Sequence, residues 1–295
     1  MLHGLVLIGL AAVSWGTTGS VMTILVARAD AEPFLVGAAR MAVAALVLIA
    51  GAKVLSPGPT FAFEALPHGL ALGVCMAAYQ AAYFSAVAMT GIAVTALVAI
   101  CSAPLMIAAL AVLLLGERPT MRLGIALALG VAGTALLVAA PPTTTGSSLR
   151  FLSGIALALT AGLAYAVYAV IAKAAVARVN PLAITTVTFT AAAVLMLPLL
   201  AFTHAPLTQV ARGWPWLVYV GAVATAGAYV LYTLGLRRVP ASVAGVMTLL
   251  EPLTATLLGV WLFGERLGPA GLVGAVLLLA AITLLLPLTT SSRRS

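Results

Sequence analysis

The chain has 295 residues, of which 64% are hydrophobic and 7% are charged, and its formal net charge is +8. Apolar runs of about 20 residues, the length that crosses a bilayer core, recur from end to end and exclude a soluble globular protein. The basic residues are scattered over short loops and form no basic face, which excludes a nucleic-acid-binding surface.

Ten apolar segments, separated by prolines, glycines and charges, are predicted to cross a membrane. In chain order they cover residues 3–27, 33–54, 66–88, 92–115, 121–140, 151–173, 181–202, 214–236, 241–263 and 269–288. Helices are expected because backbone groups in lipid must hydrogen-bond within their own segment, whereas barrel strands are shorter and alternate polar with apolar residues. The predicted fold class is all-α, a polytopic membrane protein with ten transmembrane helices.

The two halves of the chain are copies of each other. A shift of 148 positions places Pro104 on Pro252, and residues 93–118 match residues 241–266 at 11 of 26 positions. Because each copy crosses the membrane five times, an odd number, the second is predicted to be inverted relative to the first. The predicted parts are a first five-helix repeat (1–140), an inter-repeat loop (141–150), a second, inverted five-helix repeat (151–288) and a cytoplasmic tail (289–295).

Basic residues favour one side of the membrane. Nine of the 14 Lys and Arg residues lie in loops on the side of the N-terminus, and four lie in the opposite loops. An excess of Lys and Arg in short loops marks the cytoplasmic side. Both termini are therefore predicted to be cytoplasmic, and the expected location is the inner membrane of a cell.

Three features connect this pattern to a known family. Trp15-Gly16 lies in the first segment, and Pro104 and Pro252 are each followed twelve residues later by Gly-Glu. With ten helices in two inverted repeats, the chain resembles the drug/metabolite transporter superfamily, EamA type, over essentially its whole length. The resemblance implies export or exchange of small metabolites across a membrane. In size and layout the chain looks similar to bacterial amino-acid exporters, including the aromatic amino-acid exporters of the YddG type, but Ile100–Ala103 stands where those exporters carry bulky aromatics.

Two ionisable residues, Arg40 and Glu251, lie inside predicted spans. A charge at the centre of a membrane helix costs about 2.5–3.5 kcal/mol on insertion scales, so both are candidates for function. Their counterparts in the other repeat, Thr188 and Ala103, are neutral, so the scaffold itself requires neither charge. Two questions stay open: Arg40 has an alternative role in reaching the membrane surface or capping carbonyls, and protonation of Glu251 is a candidate step of a transport cycle.

Pro104 and Pro252 lie about halfway along the fourth and ninth spans. Each removes a helix hydrogen bond and frees the carbonyl four residues back, at Ile100 and Thr248. Because breaks at one depth in both repeats favour hinges beside a central site, we predict that both prolines are hinges; simple kinks are the alternative.

Tyrosines recur at helical spacing in the third, sixth and eighth spans. Tyrosines near span ends belong to interfacial belts, but Tyr83, Tyr165 and Tyr229 are too deep for that role. The repeat counterparts of Tyr83 and Tyr165 are Leu231 and Thr17, so we expect these rings to line a pocket rather than to hold the fold. The predicted substrate-binding residues are Trp15, Tyr79, Gln80, Tyr83, Ser102, Tyr165, Tyr168, Tyr229, Thr248 and Glu251.

The function predicted from these residues is export of neutral or aromatic amino acids by alternating access around a midplane pocket. A multidrug or lipophilic-cation pump is the closer alternative, but the small relatives of this kind rely on a first-helix glutamate where this chain has Ser14-Trp15-Gly16. An intramembrane enzyme is a remote alternative, because the three histidines lie at helix ends or in loops and only one acid is central.

No cofactor and no metal site are predicted, since Cys75 and Cys101 lack ligand spacing. The Gly-Glu pairs at Glu117 and Glu265 are interpreted as interfacial ion pairs that end their helices. The expected partners are a small-molecule substrate and the lipid bilayer, and helix faces rich in glycine, such as that of Gly133, would serve bundle packing or a homodimer.

Overall fold

The structure is a computed structural model that describes residues 1–55, 63–138, 149–264, 266 and 268–286. Within these ranges the regular structure is entirely helical. The α-helices are α1 (Leu2–Ala29), α2 (Pro33–Leu55), α3 (Leu66–Thr90), α4 (Ile92–Leu115), α5 (Met121–Val138), α6 (Leu149–Ala175), α7 (Pro181–Met196), α8 (Pro206–Gly221), α9 (Ala228–Leu236), α10 (Ala241–Met247), α11 (Leu250–Phe263) and α12 (Pro269–Leu285). Two 3-10 segments (Phe63–Ala65 and Leu197–Phe202) and one π-helical segment (Ala222–Gly227) complete them.

These helices form ten spans. Among the described residues nine helical stretches are long and apolar enough to cross a membrane, and α12 is a tenth, shorter apolar helix of 17 residues. The eighth span joins α8, the π-helical segment and α9 into Pro206–Leu236, and the ninth joins α10 and α11 into Ala241–Phe263. The predicted all-helical, polytopic membrane fold is confirmed. Most of the predicted inter-repeat loop and the whole predicted tail lie outside the described residues.

The eighth span begins at Pro206, earlier than the predicted start at residue 214. The first turn is polar, so hydropathy does not reveal it. It is stabilised by Gln209, whose side chain donates to Glu32 (3.2 Å) and to the His204 carbonyl (2.6 Å). The helix then continues through the exposed Pro215. The backbone N–H of His204 also donates to Glu32 and, with the side-chain bonds, holds the pKa of that loop carboxyl below its usual range.

The ninth span is broken beside Pro252, but α4 continues as one helix past Pro104. At the break the hydrogen bonds tighten, since Leu249 N–H donates to Val246 (3.1 Å) and Glu251 N–H donates to Thr248 (2.9 Å). The prediction that Thr248 presents a free carbonyl is therefore wrong: a three-residue bond replaces the helical bond that Pro252 cannot make. Equivalent prolines in the two repeats therefore have different effects on their helices.

Helix pairs follow a pseudo-two-fold exchange of the repeats. The third span of each repeat packs against the first and second spans of the other, as α3 on α6 and α7, and as α8 and α9 on α1 and α2. Likewise α4 packs on α6 as α11 packs on α1, and α5 packs on its own counterpart α12. The core thus forms between the copies, so neither repeat buries its apolar faces alone.

One close helix contact shows this exchange at atomic detail. A Cβ added at Gly73 would lie 2.6 Å from Cβ of Ala191 and 2.9 Å from the carbonyl oxygen of Thr188. At Gly221, the position 148 residues later, an added Cβ would overlap Val43 and lie 3.1 Å from the carbonyl oxygen of Arg40. Val43 and Arg40 in turn precede Ala191 and Thr188 by 148 residues. Residues related by the 148-residue shift in the sequence therefore make equivalent contacts in the structure.

Replacing Gly221 with alanine is expected to destabilise the folded protein, because the new methyl group has no room beside Val43. Overpacking of this kind costs about 1–3 kcal/mol. The matched control is Gly51→Ala in α2, where an added Cβ meets nothing within 4 Å. The apparent melting temperature of the purified protein in detergent checks this, and a Gly221→Ala protein that melts with the wild type would contradict the contact.

The inversion of the repeats is visible where α4 ends. Both side-chain oxygens of Glu117, just after α4, accept hydrogen bonds from the first turn of α10: one from Ala241 N–H (2.6 Å), the other from Ser242 N–H (3.1 Å) and the Ser242 hydroxyl. The end of the fourth span thus meets the start of its counterpart, which requires the two spans to be antiparallel. We call this side of the bundle, which also carries Met1, the N-terminal side.

Candidate functional site

Aromatic side chains from five helices meet inside the bundle. We call this group the aromatic cluster; it consists of Trp15, Tyr79, Tyr83, Tyr165, Tyr168, Phe189, Tyr229 and Tyr232. Trp15 of α1 is at its centre, with ring centroids 4.8 Å from Tyr229, 5.3 Å from Tyr232 and 6.3 Å from Tyr165. The structure therefore brings together all six aromatic residues that the sequence analysis selected, although they come from α1, α3, α6 and α9.

The cluster has a packed interior and a partly exposed wall. Trp15 is 5% exposed, and Tyr168, Tyr229 and Phe189 are equally enclosed. Tyr79, Tyr83 and Tyr165 are only partly buried, and Tyr79 contacts both other rings, with centroids 5.8 Å from Tyr83 and 6.0 Å from Tyr165. The buried rings therefore support three tyrosines that form the surface available to a ligand.

Several polar atoms around this wall lack protein partners. Among the described residues, the Trp15 indole N–H, the Gln80 side-chain nitrogen and the Tyr168 hydroxyl are buried and make no hydrogen bond. A buried donor without a partner costs about 1–3 kcal/mol, so these groups are free to bond a water molecule or a ligand. Gln80 faces α2, its nitrogen 3.4 Å from the position of a Cβ added at Gly37, one turn before Arg40.

Arg40 reaches the cluster from α2. Its Nε donates to the hydroxyl of Thr225 in the π-helical segment (3.0 Å). That hydroxyl in turn donates to the carbonyl of Val220 in α8 (2.8 Å), five residues earlier in the chain. The guanidinium lies within electrostatic range of Tyr79 and Tyr229. Arg40 thus points into the bundle and does not extend to the membrane surface, which was one alternative considered from the sequence.

Glu251 lies in the first turn of α11, directly after the break in the ninth span. The positive end of a helix dipole favours a carboxylate at this position. Glu251 is partly buried and close enough to Tyr79, Tyr83 and Tyr165 for electrostatic interaction. Arg40 also interacts with it, yet no ion pair within 4.0 Å joins the two side chains in the described chain.

Two predicted pocket residues use their hydroxyls within their own helices. Ser102 sits where α4 packs closely on α6 beside Gly162, and its hydroxyl donates to the Ala99 carbonyl (3.2 Å). Thr248 is 8% exposed, and its hydroxyl donates to the Gly245 carbonyl (2.8 Å). Both hydroxyls satisfy the backbone of their own helices, as serine and threonine commonly do inside spans.

Three residues that the structure places here are not among those predicted from the sequence: Phe189, Thr225 and Tyr232. Tyr232 shares a helix face with Tyr229 at a spacing of three, so the pattern that selected its neighbour also covers it. Phe189 and Thr225 carry no such signal, because each lies in an apolar or small-residue stretch and becomes relevant only through helices distant in sequence.

The N-terminal side of the cluster is closed. There α4 packs on α10, with Ile107 against Gly245, and Glu117 binds the first turn of α10. The prediction that Glu117 forms an interfacial ion pair is therefore wrong, because its oxygens are engaged by backbone N–H groups; Glu265 lies outside the described residues. Lys173 adds a second tie on this side, donating to the carbonyls of Leu236 (2.6 Å) and Val239 (2.8 Å).

The opposite side lacks the equivalent packing. By exchange of the repeats, α11 would pack on the first half of α4, and these helices make no comparable contact in the described part of the chain. The packing that would close the side opposite the N-terminus is therefore missing among the described residues. On the N-terminal side a cavity of about 440 Å³ is bounded by Met1, Glu117, Arg122 and Pro240 and lies beyond the closed contact.

The described cysteines and possible metal ligands lie outside the aromatic cluster as defined here. Cys75 and Cys101 are free thiols. Within the described ranges no group of three His, Cys, Asp or Glu side chains is placed to hold a metal ion.

Comparison with known proteins agrees with this architecture. The profile of the EamA-like transporter family matches residues 2–139 and again 152–286, once for each repeat. The uncharacterized transporter YwfM of Bacillus subtilis is 36% identical over 274 residues, covering 92% of this chain and 90% of the relative. An uncharacterized transporter of Archaeoglobus fulgidus is 30% identical over 204 residues, covering 68% of this chain and 70% of the relative.

A solved crystal structure superposes with a TM-score of 0.83 at 22% identity, covering 95% of this chain and 97% of the other, which supports the fold. The family profile matches both halves of the chain, and the Bacillus relative extends over nearly all of it. This chain is a multi-pass membrane protein that belongs to the EamA-like transporter family.

Proposed function

We propose that this transporter exports neutral or aromatic amino acids by alternating access around the aromatic cluster. The observation that carries the proposal is the wall of Tyr79, Tyr83 and Tyr165 inside the bundle, with Glu251 near all three rings and Arg40 near Tyr79. Tyrosine rings offer an apolar face for stacking and a hydroxyl for hydrogen bonding. A small molecule with an apolar side chain and polar ends matches that surface.

Alternating access follows from the two repeats. The contact of α4 with α10 closes the N-terminal side, and its pseudo-symmetric equivalent, α11 on α4, is open. Exchanging these two packings would close the opposite side and open the first, which is the cycle expected of inverted repeats around a midplane site. The break beside Pro252 and the proline in α4 are the proposed hinges.

A multidrug or lipophilic-cation pump is the second candidate, and Glu251 is the observation that favours it. A carboxylate among aromatic rings is suited to an organic cation. Arg40 argues against that candidate, because its positive charge acts on the same space and repels a cation. We therefore place amino acids first.

The test is uptake into proteoliposomes that contain the purified protein. A panel of labelled neutral, aromatic and charged amino acids and cationic dyes is offered under substrate gradients. Saturable uptake of neutral or aromatic amino acids, in preference to dyes, supports the proposal. Uptake restricted to the dyes would establish the pump instead, and uptake of neither would reject both substrate classes.

We also propose that both termini are cytoplasmic, in the inner membrane of the cell, from the excess of basic residues on the N-terminal side. A reporter that is active only in the cytoplasm should give signal when fused after Arg238, between α9 and α10, and none when fused after Arg266. The reverse pattern would overturn the orientation. A homodimer stays a prediction; Gly133, one basis for it, packs against Gly274 of α12 within the bundle.

A further inference from the structure

Arg40 is held by one hydrogen bond and keeps most of its donors unused. A guanidinium has five N–H groups in a planar fork. The Nε–H of Arg40 donates to Thr225, and the remaining four N–H groups on the two Nη atoms have no partner in the described part of the chain. An arginine that serves only to stabilise a helix bundle would be expected to use these donors on carbonyls or carboxylates.

The part of the second repeat that binds Arg40 differs from its counterpart in the first repeat. The π-helical segment at 222–227 corresponds to residues 74–79, which belong to the regular helix α3. Thr225 corresponds to Ala77, and Arg40 corresponds to Thr188, whose hydroxyl simply donates to its own helix at Ile184 (2.8 Å). A π-helical turn inside an α-helix frequently marks a functional site. The second repeat therefore has a π-helical segment at the place where it binds the charged side chain of Arg40.

Glu251 carries the opposite charge, and it too has unused hydrogen-bonding capacity. Its carboxylate makes no hydrogen bond and no ion pair with the described residues, although Arg40 is near enough to interact with it. Two opposite charges in a membrane interior would gain by direct contact. Here they make no direct contact, and Tyr79 lies within electrostatic range of both.

We propose that Arg40 and Glu251 together bind a zwitterion, Arg40 through the carboxylate of the substrate and Glu251 through its ammonium group. Thr225 is a positioning residue that fixes the plane of the Arg40 fork for bidentate contact with a carboxylate. The proposal rests on the proposed function, since it assigns recognition of both ends of an amino acid to this site. It adds that the cluster selects molecules that carry both charges.

The test uses three ligands that share a phenyl side chain: phenylalanine, phenylethylamine, which lacks the carboxylate, and 3-phenylpropionate, which lacks the ammonium group. Their affinities are measured by thermal stabilisation of the purified full-length protein in detergent. The wild type should bind phenylalanine at least about tenfold more tightly than either analogue, because each lost charge-assisted contact is worth about that much.

In Arg40→Gln, phenylalanine should bind no better than phenylethylamine, whose own affinity is retained. In Glu251→Gln, phenylalanine should bind no better than 3-phenylpropionate. Thr225→Val should lose part of the preference for the carboxylate, about threefold to tenfold. The matched control is Thr233→Val in α9, also fully buried, whose hydroxyl donates to carbonyls of its own helix and lies 3.3 Å from the Thr185 hydroxyl of α7; it should keep the wild-type ratio.

Two results would overturn the proposal. If Arg40→Gln keeps the preference for phenylalanine over phenylethylamine, Arg40 does not bind the carboxylate. If the same variant loses phenylethylamine as well, Arg40 maintains the shape of the pocket rather than contacting the ligand. A wild type that binds none of the amino acids in the uptake panel would instead reject the proposed function, and this outcome is separate from both.

Discussion

Replacing Glu251 with glutamine is expected to reduce transport at least about tenfold while the protein still inserts and folds. The counterpart of Glu251 in the first repeat is Ala103, so the scaffold accommodates a neutral residue at this depth. The carboxylate has no protein partner that the substitution would leave unpaired among the described residues, and removing a charge from the membrane interior lowers the cost of insertion. The loss should therefore appear in function and not in stability.

The mode of transport that is lost identifies what Glu251 does. If the carboxylate binds the substrate, net uptake and exchange of substrate for substrate should fall together in proteoliposomes. If it only carries a proton, exchange should persist while the dependence of net uptake on a pH gradient disappears. We expect the first outcome. Accumulation driven by a pH gradient that survives in Glu251→Gln would exclude Glu251 as the coupling residue.

The second large effect separates the two layers of the aromatic cluster. Tyr83→Ala is expected to lower transport up to about tenfold with little change in melting temperature, because Tyr83 belongs to the partly exposed wall and the stacking contact of an aromatic ring contributes about 0.5–1.5 kcal/mol beyond its buried area. Trp15→Ala is expected to reduce the amount of folded protein as well, since emptying a site of this size in a packed interior costs about 3–5 kcal/mol.

The control is Trp261→Ala, because Trp261 is 83% exposed on α11 and has the position of an interfacial belt residue. It should retain transport and yield. Detergent-purified protein is followed by size-exclusion chromatography and melting temperature, and transport by uptake of the best amino acid of the panel. If Trp15→Ala proves as stable as the wild type, the indole does not support the cluster as its ring contacts indicate.

Part of the site could be predicted because its signals are local. Tyr79 and Tyr83 share a helix face by their spacing, and Arg40 and Glu251 stand out because charges are rare in apolar spans. Ser102 was predicted from its place in the fourth span, and its place along the span does not say which way a side chain points around its helix. The structure turns Ser102 into the contact between α4 and α6.

The amino-acid sequence by itself determined the class of this protein, its ten spans and its duplication. Span length follows from hydropathy within one segment, and the repeat follows from identity at a constant shift, so neither depends on how helices are arranged. The opposite orientation of the copies also follows, because five crossings per repeat leave no other arrangement.

Only the tertiary structure decided which residues face one another and which side is closed. Arg40 is bound by Thr225, 185 positions away, and Glu117 caps α10 from 124 positions away. The sequence symmetry treats the two sides of the membrane alike, but in the described chain α4 packs on α10 and makes no comparable contact with α11. That choice depends on contacts between helices from different repeats, whose energies arise only when the helices meet and are not encoded in the pattern of any single span.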